Sequence, residues 1–125
     1  MSKGKVLVAD DNEIELEVVK VVLEAAGYEV ATLSSVFDLT VAIRRNRPDV
    51  ILLDVKMPGV RGDRAAAVLK QHGFSRDIPV ILHSGIEEGE LREIAEATGV
   101  TDYIRKTGDF ELLVDKIRSV VSGPT

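Results

Sequence analysis

Five polar residues stand just after short apolar runs and could do chemistry together. Asp10, Asp11 and Asp54 supply three carboxylates, which follow two of these runs. Ser84 supplies a hydroxyl group and Lys106 an ammonium group after two further runs. Like charges about 4 Å apart repel by roughly 4 kcal/mol at an effective dielectric constant of about 20. Three converging carboxylates therefore need compensation from a lysine, from raised pKa values or from a divalent cation.

The types of ligand in this set favour magnesium over softer metals. Carboxylate oxygens are hard ligands, and Mg²⁺ takes one or two of them while it keeps waters or shares phosphate oxygens. The chain has no cysteine and two histidines, His72 and His83. Disulfides and thiolate metal sites are therefore excluded, and a zinc site built on imidazoles is disfavoured.

The same groups could support phosphoryl transfer. A carboxylate can act as the nucleophile and form an acyl phosphate. A divalent cation, a lysine and a hydroxyl group would then hold the phosphoryl oxygens. One lysine carries too little charge to balance three acids, so the cation is part of this hypothesis.

An alternation of strands and helices would bring these residues to one edge. Strands are predicted at Val6–Ala9, Tyr28–Thr32, Val50–Leu53, Val80–Leu82 and Asp102–Ile104. Continuous apolar runs are typical of parallel strands that are buried on both faces. Ligands bind at the carboxyl ends of such strands, and right-handed crossovers place helices on both faces. We therefore predict a doubly wound α/β fold in one domain over residues 1–125.

Five helical patterns separate and follow these strands. The first has Asn12 as its N-cap with Glu15 as a capping-box partner, and Gly27 follows its end. Its predicted buried stripe consists of Ile14, Val18, Val21, Val22 and Ala25. The second pattern begins at Ser35 to Asp38 and ends before Pro48, and the third spans about 62 to 72. The fourth buries Leu91, Ile94, Ala95 and Thr98 before Gly99; the fifth starts at Asp109 and buries Leu113, Ile117, Val120 and Val121.

Composition narrows the possible functions. The 125 residues suffice for one domain, and 45% of them are hydrophobic, which is typical of a globular chain. Acidic residues outnumber basic ones by 21 to 16, so binding to nucleic acid is disfavoured. Asp10 and Asp11 come too early for a signal peptide, and no apolar run approaches the roughly 18 residues of a membrane span. We expect a cytoplasmic protein.

Four motifs together resemble the receiver domain of two-component response regulators. They are Asp10-Asp11, Asp54 with Met57-Pro58-Gly59, Ser84-Gly85, and Tyr103-Ile104-Arg105-Lys106. Each motif alone is common, but all four in order at predicted strand ends are specific, and the resemblance covers essentially the whole chain. It implies a flavodoxin-like five-stranded parallel sheet in the order 2-1-3-4-5. It also implies a signalling module that catalyses only its own phosphorylation and dephosphorylation.

The resemblance assigns a phosphoacceptor and a magnesium site. Asp54 would take a phosphoryl group from the phosphohistidine of a histidine kinase or of a histidine phosphotransfer protein. Asp11 would bind Mg²⁺ directly, and Asp10 would bind it mainly through water. Asp54 and the backbone carbonyl of Lys56 would be further ligands.

The resemblance also implies a conformational switch. Ser84 and Lys106 would contact the phosphoryl oxygens, and Tyr103 would be the switch aromatic. A hydroxyl that moves toward a new phosphoryl oxygen draws its loop inward, and an aromatic side chain can then fill the vacated space. The affected surface would be the fourth predicted helix, the fifth strand and the fifth predicted helix. A downstream protein or a second copy of the chain would dock there.

Alternative interpretations remain open at this stage. Ser84 could cap the fourth predicted helix in a box with Glu87, Tyr103 could be static core, and Lys106 could be a solvated surface cation. Lys106 is followed by Thr107 where the family usually has a proline, often after a cis bond. A cis bond before threonine costs roughly 3–4 kcal/mol, so we expect a trans bond and a changed loop.

Two competing functions follow from these alternatives. A pseudo-receiver would keep the fold and dock partners without phosphorylation. A phosphatase with an aspartate nucleophile would carry a second aspartate two positions later to protonate the leaving group, and Lys56 occupies that position. The retained acids, hydroxyl and lysine favour the phosphorylated receiver.

Overall fold

The computed structural model describes residues 2–35, 38–56 and 77–122. Within these ranges the elements are, in chain order, β1 Lys5–Ala9, α1 Glu13–Ala25, β2 Glu29–Leu33, α2 Leu39–Asn46, β3 Val50–Leu53, β4 Val80–Ser84, α3 Glu88–Thr98, β5 Asp102–Arg105 and α4 Phe110–Ser122. Helices α3 and α4 are the fourth and fifth predicted helices. The third predicted helix, the Met57-Pro58-Gly59 motif and His72 lie outside the described residues.

All five strands pair in parallel in the order β2-β1-β3-β4-β5. The predicted fold and strand order are therefore confirmed. The order makes β1 and β3 neighbours, with Ala9 opposite Leu53 in the register. The residues that follow these two strands consequently begin side by side at the carboxyl edge.

The core consists of two layers, one on each face of the sheet. In β1, Leu7 and Ala9 face the layer that α2 and α3 cover, whereas Val6 and Val8 face the layer that α1 and α4 cover. Successive side chains of a strand point to opposite faces, so a strand covered on both sides must be apolar at every position. This explains why β3 reads Val-Ile-Leu-Leu and why all four of its residues are buried.

The predicted buried stripe of α1 is wrong. Its buried residues are Leu16, Val19 and Leu23, whereas Ile14 is 77% exposed and Val21 is 58% exposed. Both sets have helical spacing, because α1 carries apolar residues on more than one side. The set that includes the large leucines faces β1, β3 and α4, and the other set is largely exposed.

The later helices follow their predicted patterns more closely. Leu91 and Ala95 are buried in α3, and Gly99 ends this helix with a φ of 72°, which a residue with a side chain adopts only with strain. Leu113 and Ile117 are buried in α4. Among the helices within the described ranges, none has the length and apolar character that a membrane-spanning segment needs.

Strand β4 extends beyond its prediction and corrects one interpretation. His83 and Ser84 are the last two residues of β4. Glu87, not Ser84, holds the N-cap position of α3. The capping-box interpretation of Ser84 is therefore wrong.

Candidate functional site

Three carboxylates meet at the carboxyl edge of the sheet, as the sequence predicts. Oxygens of Asp10, Asp11 and Asp54 all lie within 4.8 Å of one another. Asp10 is 3% exposed and Asp54 6% exposed, whereas Asp11 is exposed. Two acids therefore form the floor of the site and the third stands at its opening.

The backbone holds one oxygen of each buried carboxylate. Asp10 Oδ1 accepts a hydrogen bond from the Asn12 amide at 2.9 Å, and Asp54 Oδ1 accepts one from the Lys56 amide at 3.2 Å. The backbone amide of Asp54 donates to the carbonyl of Ala9 at 2.9 Å, which ties the end of β3 to the end of β1. The other oxygen of each carboxylate contacts the ammonium group of Lys106.

Within the described part of the site, the positive charge comes from Lys106. Its Nζ lies 2.6 Å from Asp10 Oδ2 and 3.2 Å from Asp54 Oδ2, and it also forms an ion pair with Glu15. The side chain of Lys106 is 17% exposed, so the interpretation as a solvated surface cation is wrong. Its backbone amide donates to the Ser84 carbonyl at 2.8 Å, which fixes the lysine beside β4.

Thr107, which stands where the family usually has a proline, does not prevent Lys106 from contacting the buried acids. The described residues contain no cis peptide bond, so the predicted trans bond between Lys106 and Thr107 is confirmed. Thr107 Oγ1 accepts a hydrogen bond from the Asp109 amide at 3.4 Å, and Gly108 takes a positive φ of 83°. This hydrogen bond and the positive φ of Gly108 shape the loop after β5, and Lys106 still contacts both buried acids.

Burial and the contacts of Lys106 leave the pKa values of the two buried acids shifted in opposite directions. Burial raises the pKa of Asp54 above its usual value, although Lys106 opposes the change. Burial also acts to raise the pKa of Asp10, but hydrogen bonds from Lys106 and from the Asn12 amide outweigh it and lower the pKa. Burial likewise opposes the charge on Lys106, yet its hydrogen bonds to Asp10 and Glu15 keep its pKa well above the usual range.

Glu15 is a site residue that the sequence analysis missed. The predicted capping box is wrong, since the Asn12 amide donates to Asp10 and the Glu15 carboxylate contacts Lys106 instead. Asn12 itself is confirmed as the N-cap, because its Oδ1 accepts from the amides of Ile14 and Glu15 at 3.0 and 3.1 Å. No spacing rule points to Glu15, because the contact joins the first turn of α1 to a residue that follows β5.

The hydroxyl and aromatic candidates lie on the neighbouring strands. Ser84 is 1% exposed at the end of β4, and its Oγ accepts from the Ile86 amide at 3.4 Å. Tyr103 is half-buried on β5, and its hydroxyl donates to Glu88 Oε1 at 2.9 Å, which raises the pKa of the tyrosine. The Arg105 side chain donates to the Ile86 carbonyl at 2.8 Å. Two β5 side chains thus contact the segment that follows Ser84.

His83 is buried on the other face of β4 from Ser84. It is 8% exposed, and burial, assisted by the charge of Lys106, lowers its pKa to about 4. A cavity of about 250 Å³ lies beside it between α1 and the start of α4, lined in part by Glu15, Lys106 and Phe110. The imidazole is therefore neutral at pH 7.

Comparison with known proteins identifies the family. The family model of the response regulator receiver domain matches residues 6–118, so the chain belongs to this family. Protein PilH from Pseudomonas aeruginosa is 29% identical over 120 residues, which are 96% of this chain and 99% of PilH. Response regulator PleD from Caulobacter vibrioides is 33% identical over 117 residues, which are 94% of this chain but 26% of PleD.

A solved structure agrees with the sheet topology. The chemotaxis response regulator CheY4 of Vibrio cholerae is 27% identical, with a TM-score of 0.85, and the match covers 96% of this chain and 98% of that chain. The resemblance stated from the four motifs is therefore confirmed. Receiver domains are signalling modules of two-component systems rather than classical enzymes, and they interact with histidine kinases and downstream targets.

Proposed function

We propose that this protein is a phosphoacceptor module of a two-component phosphorelay, with Asp54 as the acceptor. The observation that carries the proposal is the surroundings of Asp54. Its carboxylate is buried, one oxygen is held by the Lys56 amide, and the other faces the ammonium group of Lys106. A nucleophile with one fixed oxygen is oriented before the phosphodonor arrives.

The transfer step forms one bond and breaks one. A carboxylate oxygen of Asp54 attacks phosphorus, and the bond between phosphorus and the imidazole nitrogen of the donor phosphohistidine breaks. The nitrogen leaves with the electron pair, and the product is an aspartyl phosphate. Hydrolysis restores the carboxylate when water attacks phosphorus and the bond to the Asp54 oxygen breaks, which releases inorganic phosphate. Lys106 is close enough to Asp54 to neutralise charge on the phosphoryl oxygens.

The acid cluster suits a magnesium ion. The three carboxylates have oxygens within 4.8 Å of one another, and in the described part of the chain Lys106 contacts two of them; hard oxygen ligands are those that Mg²⁺ prefers. Asp11, Asp10, Asp54 and the carbonyl of Lys56 would hold it directly or through water. When bound, the ion supplies positive charge that neutralises the phosphoryl oxygens.

The proposed switch links the site to α3, β5 and α4. Ser84 Oγ accepts a weak 3.4 Å bond from the Ile86 amide and donates to no acceptor among the described residues, so its proton is available for a phosphoryl oxygen. Movement of that segment would loosen the Tyr103 bond to Glu88 and change the surface that a downstream protein meets. We expect phosphorylation to alter amide exchange in α3 and β5 of the wild type, and much less in Ser84→Ala.

Labelling with a small phosphodonor tests the acceptor. In the presence of Mg²⁺ and acetyl phosphate, the wild type should gain one phosphoryl group by intact mass, and peptide mapping should locate it on Asp54. Asp54→Ala should gain none. Asp38→Ala is a matched control, because Asp38 is exposed and makes no capping bond to α2, and it should behave as the wild type.

The same experiment separates the alternative function. A pseudo-receiver would keep its fold and bind a partner but take up no phosphoryl group from several donors. Uptake by Asp54→Ala at the wild-type rate would instead show that another residue is the acceptor. The retained Lys106 contacts with Asp10 and Asp54 favour the phosphorylated module.

A further inference from the structure

In the unphosphorylated protein, three carboxylates surround the ammonium group of Lys106. It contacts three carboxylates, those of Asp10, Asp54 and Glu15. An ammonium group has three N–H donors and no acceptor, so three partners use its whole capacity. A phosphoryl oxygen can obtain a hydrogen bond from Lys106 only if one of these carboxylates releases it.

Glu15 is the partner that is least held in place. Asp10 and Asp54 are buried, and a backbone amide holds one oxygen of each. The Glu15 side chain is 41% exposed, and its buried Oε2 has no hydrogen-bond partner in the described part of the chain beyond its ion pair with Lys106. A longer side chain that already reaches solvent can rotate out at less cost than an anchored, buried one.

Glu15 also differs in role from the acids of the metal site. It is not among the three residues whose carboxylate oxygens lie within 4.8 Å of one another. Its charge brings the local total to four acids around one described lysine. Glu15 therefore acts on the lysine and adds repulsion toward an incoming anion, because it is close to the same position.

We propose that Glu15 is a positioning residue that competes with the phosphoryl group for Lys106. The inference rests on the proposed phosphorylation of Asp54. In the resting state Glu15 holds the ammonium group between α1 and the buried acids. When a phosphoryl group occupies the site, Lys106 donates to it and Glu15 turns into solvent. The competition weakens binding of phosphoryl groups and of their unreactive analogues.

Beryllofluoride, an unreactive phosphoryl analogue, tests this competition with Mg²⁺ present. Glu15→Gln should lower the half-saturating beryllofluoride concentration by about threefold, since one partly exposed charge interaction is removed. The fraction of protein that binds at saturation should stay the same. Glu17→Gln is the matched control, because Glu17 is an exposed glutamate on α1, and it should match the wild type. A purely structural defect in Glu15→Gln would lower the saturating fraction instead.

A second measurement needs no phosphoryl ligand. The side-chain NMR signal of Lys106 should move in Glu15→Gln and stay in place in Glu17→Gln. An unmoved signal, or a half-saturating concentration equal in both variants, would overturn the competition while leaving phosphorylation of Asp54 intact. If the wild type instead takes up no phosphoryl group and binds no beryllofluoride, the proposed function itself fails.

Discussion

At the residue scale, burial and neighbouring charges act in opposite directions on the pKa values of a few side chains in the site. Burial raises the pKa of Asp54, and Lys106 limits that rise by pairing with it. The cost of a buried charge is thus reduced where the proposed nucleophile must be ionised. Neutral His83 lies beside this cluster, on the face of β4 opposite Ser84, where protonation would bring another positive charge near Lys106.

His83 should make the folded protein sensitive to acid. Its pKa is lowered from the ordinary value of 6.5 to about 4 in the folded state. The unfolded chain therefore binds a proton first as the pH falls, and stability is lost progressively between these two values. The loss from this group is on the order of 3 kcal/mol by pH 4.

The variant His83→Gln isolates this contribution. We expect its unfolding free energy, measured by urea denaturation, to fall less than that of the wild type between pH 7 and pH 4. Other titrating acids affect both proteins equally, so the difference between the two curves reports His83. Parallel curves over this range would show that the pKa of His83 is the same in the folded and the unfolded protein.

At the element scale, the start of α1 positions a large part of the site. Asn12 caps the helix with its side chain, and its backbone amide holds Asp10. The first turn of α1 carries Glu15 to Lys106. The helix itself is held by Leu16, Val19 and Leu23, which pack on the sheet. The geometry of the acids therefore depends on where α1 begins.

Loss of the cap should weaken the protein measurably. Asn12→Ala removes the acceptor of the Ile14 and Glu15 amides, so we expect a loss of about 1 kcal/mol in the free energy of unfolding. Asn12→Ser keeps a capping oxygen and should lose less. Chemical denaturation at pH 7 measures both variants. Equal stability of Asn12→Ala and the wild type would mean that the cap contributes nothing.

At the scale of the whole molecule, the sheet order decides which residues meet. Because β1 lies between β2 and β3, Asp10 and Asp54 approach each other although two crossovers separate them in sequence. Lys106 then reaches both from the far side of β4. Among the described residues, Lys106 alone contacts these acids with a positive charge, so a cation that binds the folded state should stabilise the whole domain.

Magnesium should therefore raise the stability of the wild type. A ligand present at about 100 times its dissociation constant stabilises a folded protein by about 2.7 kcal/mol if it binds only the folded state. Asp11 is exposed at the opening, so Asp11→Ala should leave the metal-free stability nearly unchanged and remove most of the magnesium effect. Thermal unfolding with Mg²⁺ or with a chelator measures this. Equal magnesium stabilisation of both proteins would contradict the proposed ligand set.

The amino-acid sequence by itself determined the alternation of strands and helices and the set of polar residues at the carboxyl edge. Apolar runs such as Val50–Leu53 are diagnostic because a strand covered on both faces must exclude polar side chains. The four motifs identified the family, and the family in turn implied the strand order of the sheet. These features are local patterns or follow directly from resemblance, so they need no knowledge of packing.

Only the tertiary structure decided which face of α1 is buried and what Lys106 contacts. Helical spacing was compatible with a stripe through Val18 as well as with one through Val19, and the packing of α1 on the sheet chose the latter. The Glu15 carboxylate does not form the expected capping box, because the ammonium group of Lys106, just after β5, is a stronger partner. Such contacts join residues that are distant in sequence, and periodicity carries no information about them.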